Sequence, residues 1–296
     1  MKRFIFVPFI LLIFLVLPKP GWCNVEENAS LFLWRLINQA RVHPESTIQS
    51  LGIDETAARQ ALGDEQWIID KGLPPLAWND KLAEAALGHG NDMIANLYYS
   101  SVGLDASTPG DRMRAAGYDP VSEGETLGIV SFSGFIGPME AVRVVFNNWV
   151  RDELNPARQK GRQIFNAEFF EMGGGFIGAV LHLGADIPPN IYLAVAEFAR
   201  PVKPHPYVIG NVYRDLNHNG SMESNEVVVG ATVVVGGIGS AGSAQVVSGA
   251  FGEYQADLPG SRLIIIDVAG DRGPLITGFL AAGGGSSSRL VDLPVP

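Results

Sequence analysis

Apolar residues recur along this chain in three distinct rhythms. From Asp80 onward, Leu82, Ala86, His89 and Met93 fall at three- and four-residue spacing, which predicts an amphipathic helix with one apolar stripe. The prolines at 74 and 75 precede it, and Asn79 or Asp80 is placed to cap it. A loop over 100–105 follows. Ser107-Thr108-Pro109 then opens a second, short helix with Pro in its first turn, which stops at Gly117-Tyr118, and Gly124-Glu125 is read as part of the next loop. Upstream, Leu31, Trp34, Leu36 and Ile37 give a helical face, and 51–72 reads as an insertion with one short helix. Downstream, 129–135 reads as loop. A helix over 139–153 buries Ala141, Val144, Val145 and Trp149, with Asp152-Glu153 as its solvated end. Two apolar runs, 173–182 and 191–199, read as strands of one sheet joined by a turn.

The rhythm changes after Arg200. Pro201, Pro204 and Pro206 stiffen a linker, and the chain beyond Tyr207 is rich in Val, Ile and Gly with few helix formers. Strands are expected at 207–213, 227–235, 244–247, 253–257 and 262–268, with a flexible 281–288 and a last edge strand from Arg289. This is a small all-β sandwich. The expected plan is α+β: a leader over 1–23, a mixed domain over 24–200, a linker over 201–206 and the β-domain over 207–296.

Composition adds a compartment. Lys2-Arg3 followed by an uncharged apolar run from Phe4 to Leu17 describes a signal peptide rather than a spanning helix, with cleavage near Cys23 or Asn24. An uncleaved N-terminal anchor is the alternative; lipidation at Cys23 is disfavoured by the bulky Trp22 before it. No other run is long and apolar enough to span a membrane. Cys23 is the one cysteine of the chain, so a cleaved product forms no disulfide. Net charge is −10, and losing Lys2, Arg3 and Lys19 takes it to −13. Such a chain is repelled by nucleic acid and anionic headgroups. A secreted, extracellular or periplasmic location is expected.

Several short motifs share an order. Leu76-x-Trp78-Asn79, Ala86-x-x-His89-x-x-x-Met93, the run 107–112 ending in Asp111-Arg112, Gly117-Tyr118 and Gly124-Glu125 together resemble the CAP superfamily (cysteine-rich secretory, antigen-five and pathogenesis-related proteins), and its bacterial secreted branch in particular. The likeness covers roughly 29–200 and implies an α-β-α sandwich. It also implies a cleft in which two histidines and one or two acidic residues in some members bind a divalent metal. Glu125 matches the family glutamate. The first histidine aligns with Ser101, the second with Lys160, and the Asn after the glutamate is Thr126. Ser101 is a poor zinc ligand and a lysine repels a cation, so zinc is not expected. Lys160 is expected to pair with Glu125 instead. His89 reads as a packed, hydrogen-bonded core histidine, with a cleft role as the alternative.

A second candidate site lies in the tail. Asp215, Asn217, Asn219, Ser221 (through its carbonyl), Glu223 and Glu226 stand at the spacing of a twelve-residue calcium loop, with Gly220 at the bend. Calcium is the expected cofactor. The surrounding Gly210–Gly220 segment resembles the B-type repeats of bacterial surface adhesins, which are prealbumin- or immunoglobulin-like. Three functions follow from these features. The first is a non-catalytic secreted or envelope binding module, taking a small apolar ligand, peptide or cell-surface component in the cleft and using the tail for attachment or spacing. The second is a hydrolase built on Glu125 and His89, and the third a structural adhesin component. No Gly-x-Ser-x-Gly elbow surrounds Ser100 or Ser101, and no local triad involves His43, His182, His205 or His218.

Overall fold

The computed structural model describes residues 23–134, 136–158, 160–180, 190–218, 222, 225–237, 243–258, 263–270, 273–281 and 287–295. Residues 1–22 of the expected leader, 1–23, lie outside them.

The first part of the chain is built on one four-stranded sheet in the order β1-β3-β4-β2, from β1 (Ala77–Trp78), β2 (Pro120–Phe132), β3 (Glu171–Val180) and β4 (Asn190–Pro201). β1 runs parallel to β3, and the other neighbours are antiparallel. α1 (Cys23–Val42) and α7 (Pro138–Glu153) cover one face. Their Leu33, Ile37, Val142 and Val145 pack into one core with Met172, Phe176 and Phe198 of the sheet. α5 (Asp80–Asn96) and α6 (Pro109–Ala115) cover the other, where Leu82, Met93 and Met113 meet Leu193, Val195 and Ala199. This is the α-β-α arrangement expected. The predicted apolar stripe of α5 is the buried one, His89 included. Gly173 and Gly175 let α5 approach so closely: a Cβ at either would run into the α5 backbone at Leu82–Ala83 or Leu87.

Three local expectations are corrected. Gly124-Glu125 and Ile129–Phe132 are not loop; they form one strand, β2. Its Ser, Glu and Gly residues have little strand propensity, and pairing along the apolar β4 overrides it. A Cβ at Gly128 would strike Val145 and Trp149, so the missing side chain there serves the packing of α7. The 51–72 segment holds two helices, α3 (Glu55–Leu62) and α4 (Trp67–Lys71), with a 3₁₀ turn between them; Leu62, Ile68 and Ile69 join the α1 core. Glu153 is not a solvated helix end. It is 1% exposed and its carboxylate accepts the backbone N–H groups of Gln163, Ile164 and Phe165.

The tail is all β among the described residues. β6 (Thr232–Gly237), β7 (Ser243–Val247), β9 (Leu263–Gly270) and β10 (Gly273–Ala281) form a sheet in the order β10-β9-β6-β7. A second sheet pairs β5 (Tyr207–Tyr213) with β8 (Glu253–Asp257) and, in parallel, with β11 (Arg289–Leu290) and β12 (Leu293–Pro294). One core, including Val208, Val233, Tyr254 and Val268, lies between the sheets. β10 has no counterpart among the strands expected from the sequence. The strand expected at 227–235 starts only at Thr232, with Val227 making an isolated bridge to Tyr213. The two parts of the chain touch: Ile209 belongs to the α1 core, Phe251 meets Phe32 at 5.3 Å, and Gln255 exchanges two hydrogen bonds with the Trp78 backbone.

Candidate functional site

α5 and α6 bring a cation and an imidazole to β2. Asn79 caps α5 by accepting the Lys81 N–H, and α5 ends at Leu97 in a left-handed conformation. Thr108 and Asp111 form a capping box at the start of α6. The two caps fix the intervening loop, and Arg112 on α6 ties it down further. Its guanidinium donates to the carbonyls of Ser107 and Ser101, both at 3.0 Å, and to Oε2 of Glu125 at 2.6 Å. The Glu125 side chain is 1% exposed, so this is a buried, charge-assisted pair.

His89 stands beside it, with Nε2 3.7 Å from Glu125 Oε2. The same Nε2 lies 2.9 Å from the Ser100 carbonyl, which only accepts, so Nε2 carries the proton. Burial holds the imidazole below its ordinary pKa and keeps it neutral. Its Nδ1 is 3.4 Å from the Tyr98 hydroxyl, which donates to Asp92. His89 is thus a buried residue bonded to its own loop, and it presents N–H rather than a lone pair toward Glu125.

Behind Glu125 lies Glu197 of β4, fully buried within the otherwise apolar run Ile191–Ala199. Burial first, then the neighbouring Glu125 charge, raise its pKa well above the ordinary carboxylate range. Such a shift favours the protonated acid, and Arg112 lies 3.8 Å from Glu197.

Glu125 opens onto a cavity of about 530 Å3. The Tyr99–Ser101 loop forms one wall; Arg158, Lys160 and Gln163 form the other, with Thr126, Leu127 and Trp149 between. The structure thus gathers Glu125, Ser101 and Lys160 around one space, with His89 behind it. It corrects the expected Lys160–Glu125 pair. Arg112 holds Glu125, and Lys160 makes no ion pair among the described residues. Arg158 pairs with Asp152 and donates to the carbonyls of Lys160 and Gly161. The reading from sequence passed over the roles of Arg112 and Glu197. Arg112 stood inside a quoted motif, and Glu197 was the lone charge in an apolar run. Both signals were present.

In the tail, Asp215, Asn217 and Glu226 are described, whereas Asn219, Ser221 and Glu223 lie outside the described residues. Glu226 is 2% exposed. Its carboxylate accepts the Leu216 N–H at 2.9 Å and its carbonyl accepts the Arg214 N–H at 2.7 Å, which closes the loop on itself. Among the described residues no three His, Cys, Asp or Glu side chains converge as a metal site requires.

Residues 34–179 match the model of CAP, the cysteine-rich secretory protein family. No curated protein matches the chain. Among solved structures it is similar to an extracellular protein containing a SCP domain from Bacillus anthracis str. Ames, at 20% identity and a TM-score of 0.38, over 62% of this chain and 44% of that one. A cysteine-rich secretory protein from Staphylococcus aureus subsp. aureus Mu50 matches at 14% identity and a TM-score of 0.33, over 59% and 39%. An outer surface protein from Borrelia burgdorferi matches at 19% and 0.31, over 50% and 96%. The chain spans less than half the length of the first two. Among the described residues no helix is long and apolar enough to cross a membrane.

Proposed function

We propose that the chain is a secreted binding module whose cleft holds a ligand without transforming it. The observation that carries this reading is the buried Arg112–Glu125 pair at 2.6 Å. It engages Oε2 of the carboxylate that a hydrolase would use as a base, while the Ser100 carbonyl takes the His89 Nε2 proton. The cavity has the volume of a small-ligand site. Its walls are mainly polar, so a polar ligand suits it better than the apolar one first expected.

The test is ligand-observed NMR with a library of small polar and apolar fragments, comparing the full chain with Ser101→Trp, which fills the cavity. Binding that is lost in Ser101→Trp supports the module. Turnover of fluorogenic peptide or ester substrates that is lost in Glu125→Gln would replace this reading by the hydrolase. Fragments that bind the wild type and Ser101→Trp equally would also overturn it.

A second reading concerns the tail and rests on the closure of the 215–226 loop by Glu226. The oxygen donors at Asp215, Asn217 and Glu226 suit a hard cation such as calcium, which would stabilise the β-part for attachment or spacing. Metal analysis after chelation and readdition tests it: one calcium per chain, lost in Asp215→Ala, supports it, and none refutes it.

A further inference from the structure

The free edge of the first sheet runs along this cleft. β2 has one neighbour, β4, so its outer side carries backbone groups with no strand to meet them. In an antiparallel ladder a residue's N–H and C=O point to the same side, and the side alternates along the strand. The Ala199 carbonyl accepts the Phe170 N–H on the β3 side, so Val195 and Glu197 also face β3, while Ala194, Ala196 and Phe198 face β2. Their partners Gly128, Thr126 and Gly124 turn inward. Glu125, Leu127 and Ile129 therefore turn outward. The Leu127 carbonyl confirms the phase, since it accepts the Trp149 indole N–H at 2.9 Å. The N–H groups of Glu125, Leu127 and Ile129 have no partner among the described residues.

These groups border the cavity, where Glu125, Thr126 and Leu127 form its back. Ile129, next along the edge, is 44% exposed. From 125 to 129 the edge spans about 13 Å, enough for four or five residues of an added strand. The flanking charges are already matched. Glu125 is held by Arg112, Asp152 by Arg158, and Glu153 by three backbone N–H groups. Lys160 is left as an exposed cation on the wall of a chain whose net charge is −10.

We propose that the cleft takes an extended peptide that adds as a strand to the outer edge of β2, with an acidic side chain set against Lys160. The N–H groups of Glu125, Leu127 and Ile129 and the carbonyls of Glu125 and Ile129 supply the affinity, the Leu127 carbonyl being held by Trp149, and the Tyr99–Ser101 and Lys160 walls select the side chains. This inference rests on the binding reading of the same cleft and adds the ligand class and the mode.

The probe is a set of unstructured Ser/Thr/Val decapeptides with a single Glu walked along them, titrated against the full chain by calorimetry. The tightest member is then N-methylated one residue at a time. Strand addition gives a period of two: methylation at alternate residues weakens binding by about tenfold, the worth of a lost hydrogen bond, and the residues between tolerate it. Ile129→Pro removes one outward N–H, leaves the β4 ladder intact, and lowers affinity without lowering the melting temperature. Lys160→Glu abolishes the preference for the acidic position. Absence of binding by every decapeptide overturns the proposal, as does an N-methyl profile without alternation. So does a dimer of the chain that Ile129→Pro converts to monomer, because the edge would then belong to a second copy. If decapeptides bind without alternation and Ser101→Trp blocks them, the edge mode falls and the binding module stands.

Discussion

Replacing Glu197 by Gln removes the group that must hold a proton inside the sheet, and the effect on stability has a calculable pH dependence. The folded-state pKa of Glu197 is raised by burial and by Glu125 from an ordinary 4.5. Below that ordinary value the acid is protonated in both the folded and unfolded states and contributes its full stability. Above it the unfolded chain releases the proton and the folded chain does not. Stability is therefore lost as pH rises, until the folded pKa is passed. The loss is about 1.4 kcal/mol per pH unit for one proton. The substituted amide does not titrate. The difference between variant and wild type should therefore widen in favour of Glu197→Gln as pH rises from 5 to 7. Urea unfolding at pH 5, 6 and 7 measures it. Parallel stability profiles would mean that Glu197 is ionised in the fold, and the reading of it as a buried acid would be refuted.

Three further outcomes follow from the same geometry. Arg112→Met leaves Glu125 buried without its cation and should destabilise by about 3–5 kcal/mol in urea titrations, with Glu125→Gln in the same chain restoring part of it. The pKa of His89 is lowered by burial, so its contribution has the opposite sign from that of Glu197. It is present above the ordinary value of 6.5 and lost as pH falls toward the lowered one; His89→Gln should flatten that limb, read as the difference in urea midpoint between pH 7 and 5. Calcium at a hundred times its dissociation constant should stabilise the chain by about 2.7 kcal/mol, and Asp215→Ala should abolish the calcium-dependent shift in melting temperature.

Much of the fold was legible because it is written in periodicity. The α5 stripe of Leu82, Ala86, His89 and Met93 is the buried face of that helix, and the two apolar runs are the two inner strands of the sheet. β2 was not legible. Its Ser-Glu-Gly-Glu run has no alternating pattern, since its strand state comes from the register with β4 and not from its own side chains. The cleft was half legible for a related reason. Short motifs marked Glu125 and, without a role, Arg112, but their pairing depends on α6 crossing over β2, a contact between residues thirteen positions apart. Lys160 was matched to Glu125 by sequence alignment alone, and the geometry put a nearer cation in that place.

Glu153 shows the same logic on the opposite wall and explains why the cleft keeps its shape. Its pKa is raised because burial outweighs the three backbone N–H groups that it accepts. Those groups belong to consecutive residues just after Lys160 and Gly161, so the carboxyl clamps the end of the loop that forms the wall. Arg158 fixes the loop's beginning through Asp152 and the Lys160 and Gly161 carbonyls. Each charge along the cleft is thus committed to holding its own segment in place. Glu125 secures α6 and the Ser101 loop through Arg112, Asp152 and Glu153 secure the far wall, and Glu197 fills the space behind without adding charge. What remains for a ligand, among the described residues, is the outward N–H groups of β2 and the Lys160 ammonium. A cleft so arranged would select a peptide by hydrogen-bond pattern and by one charge.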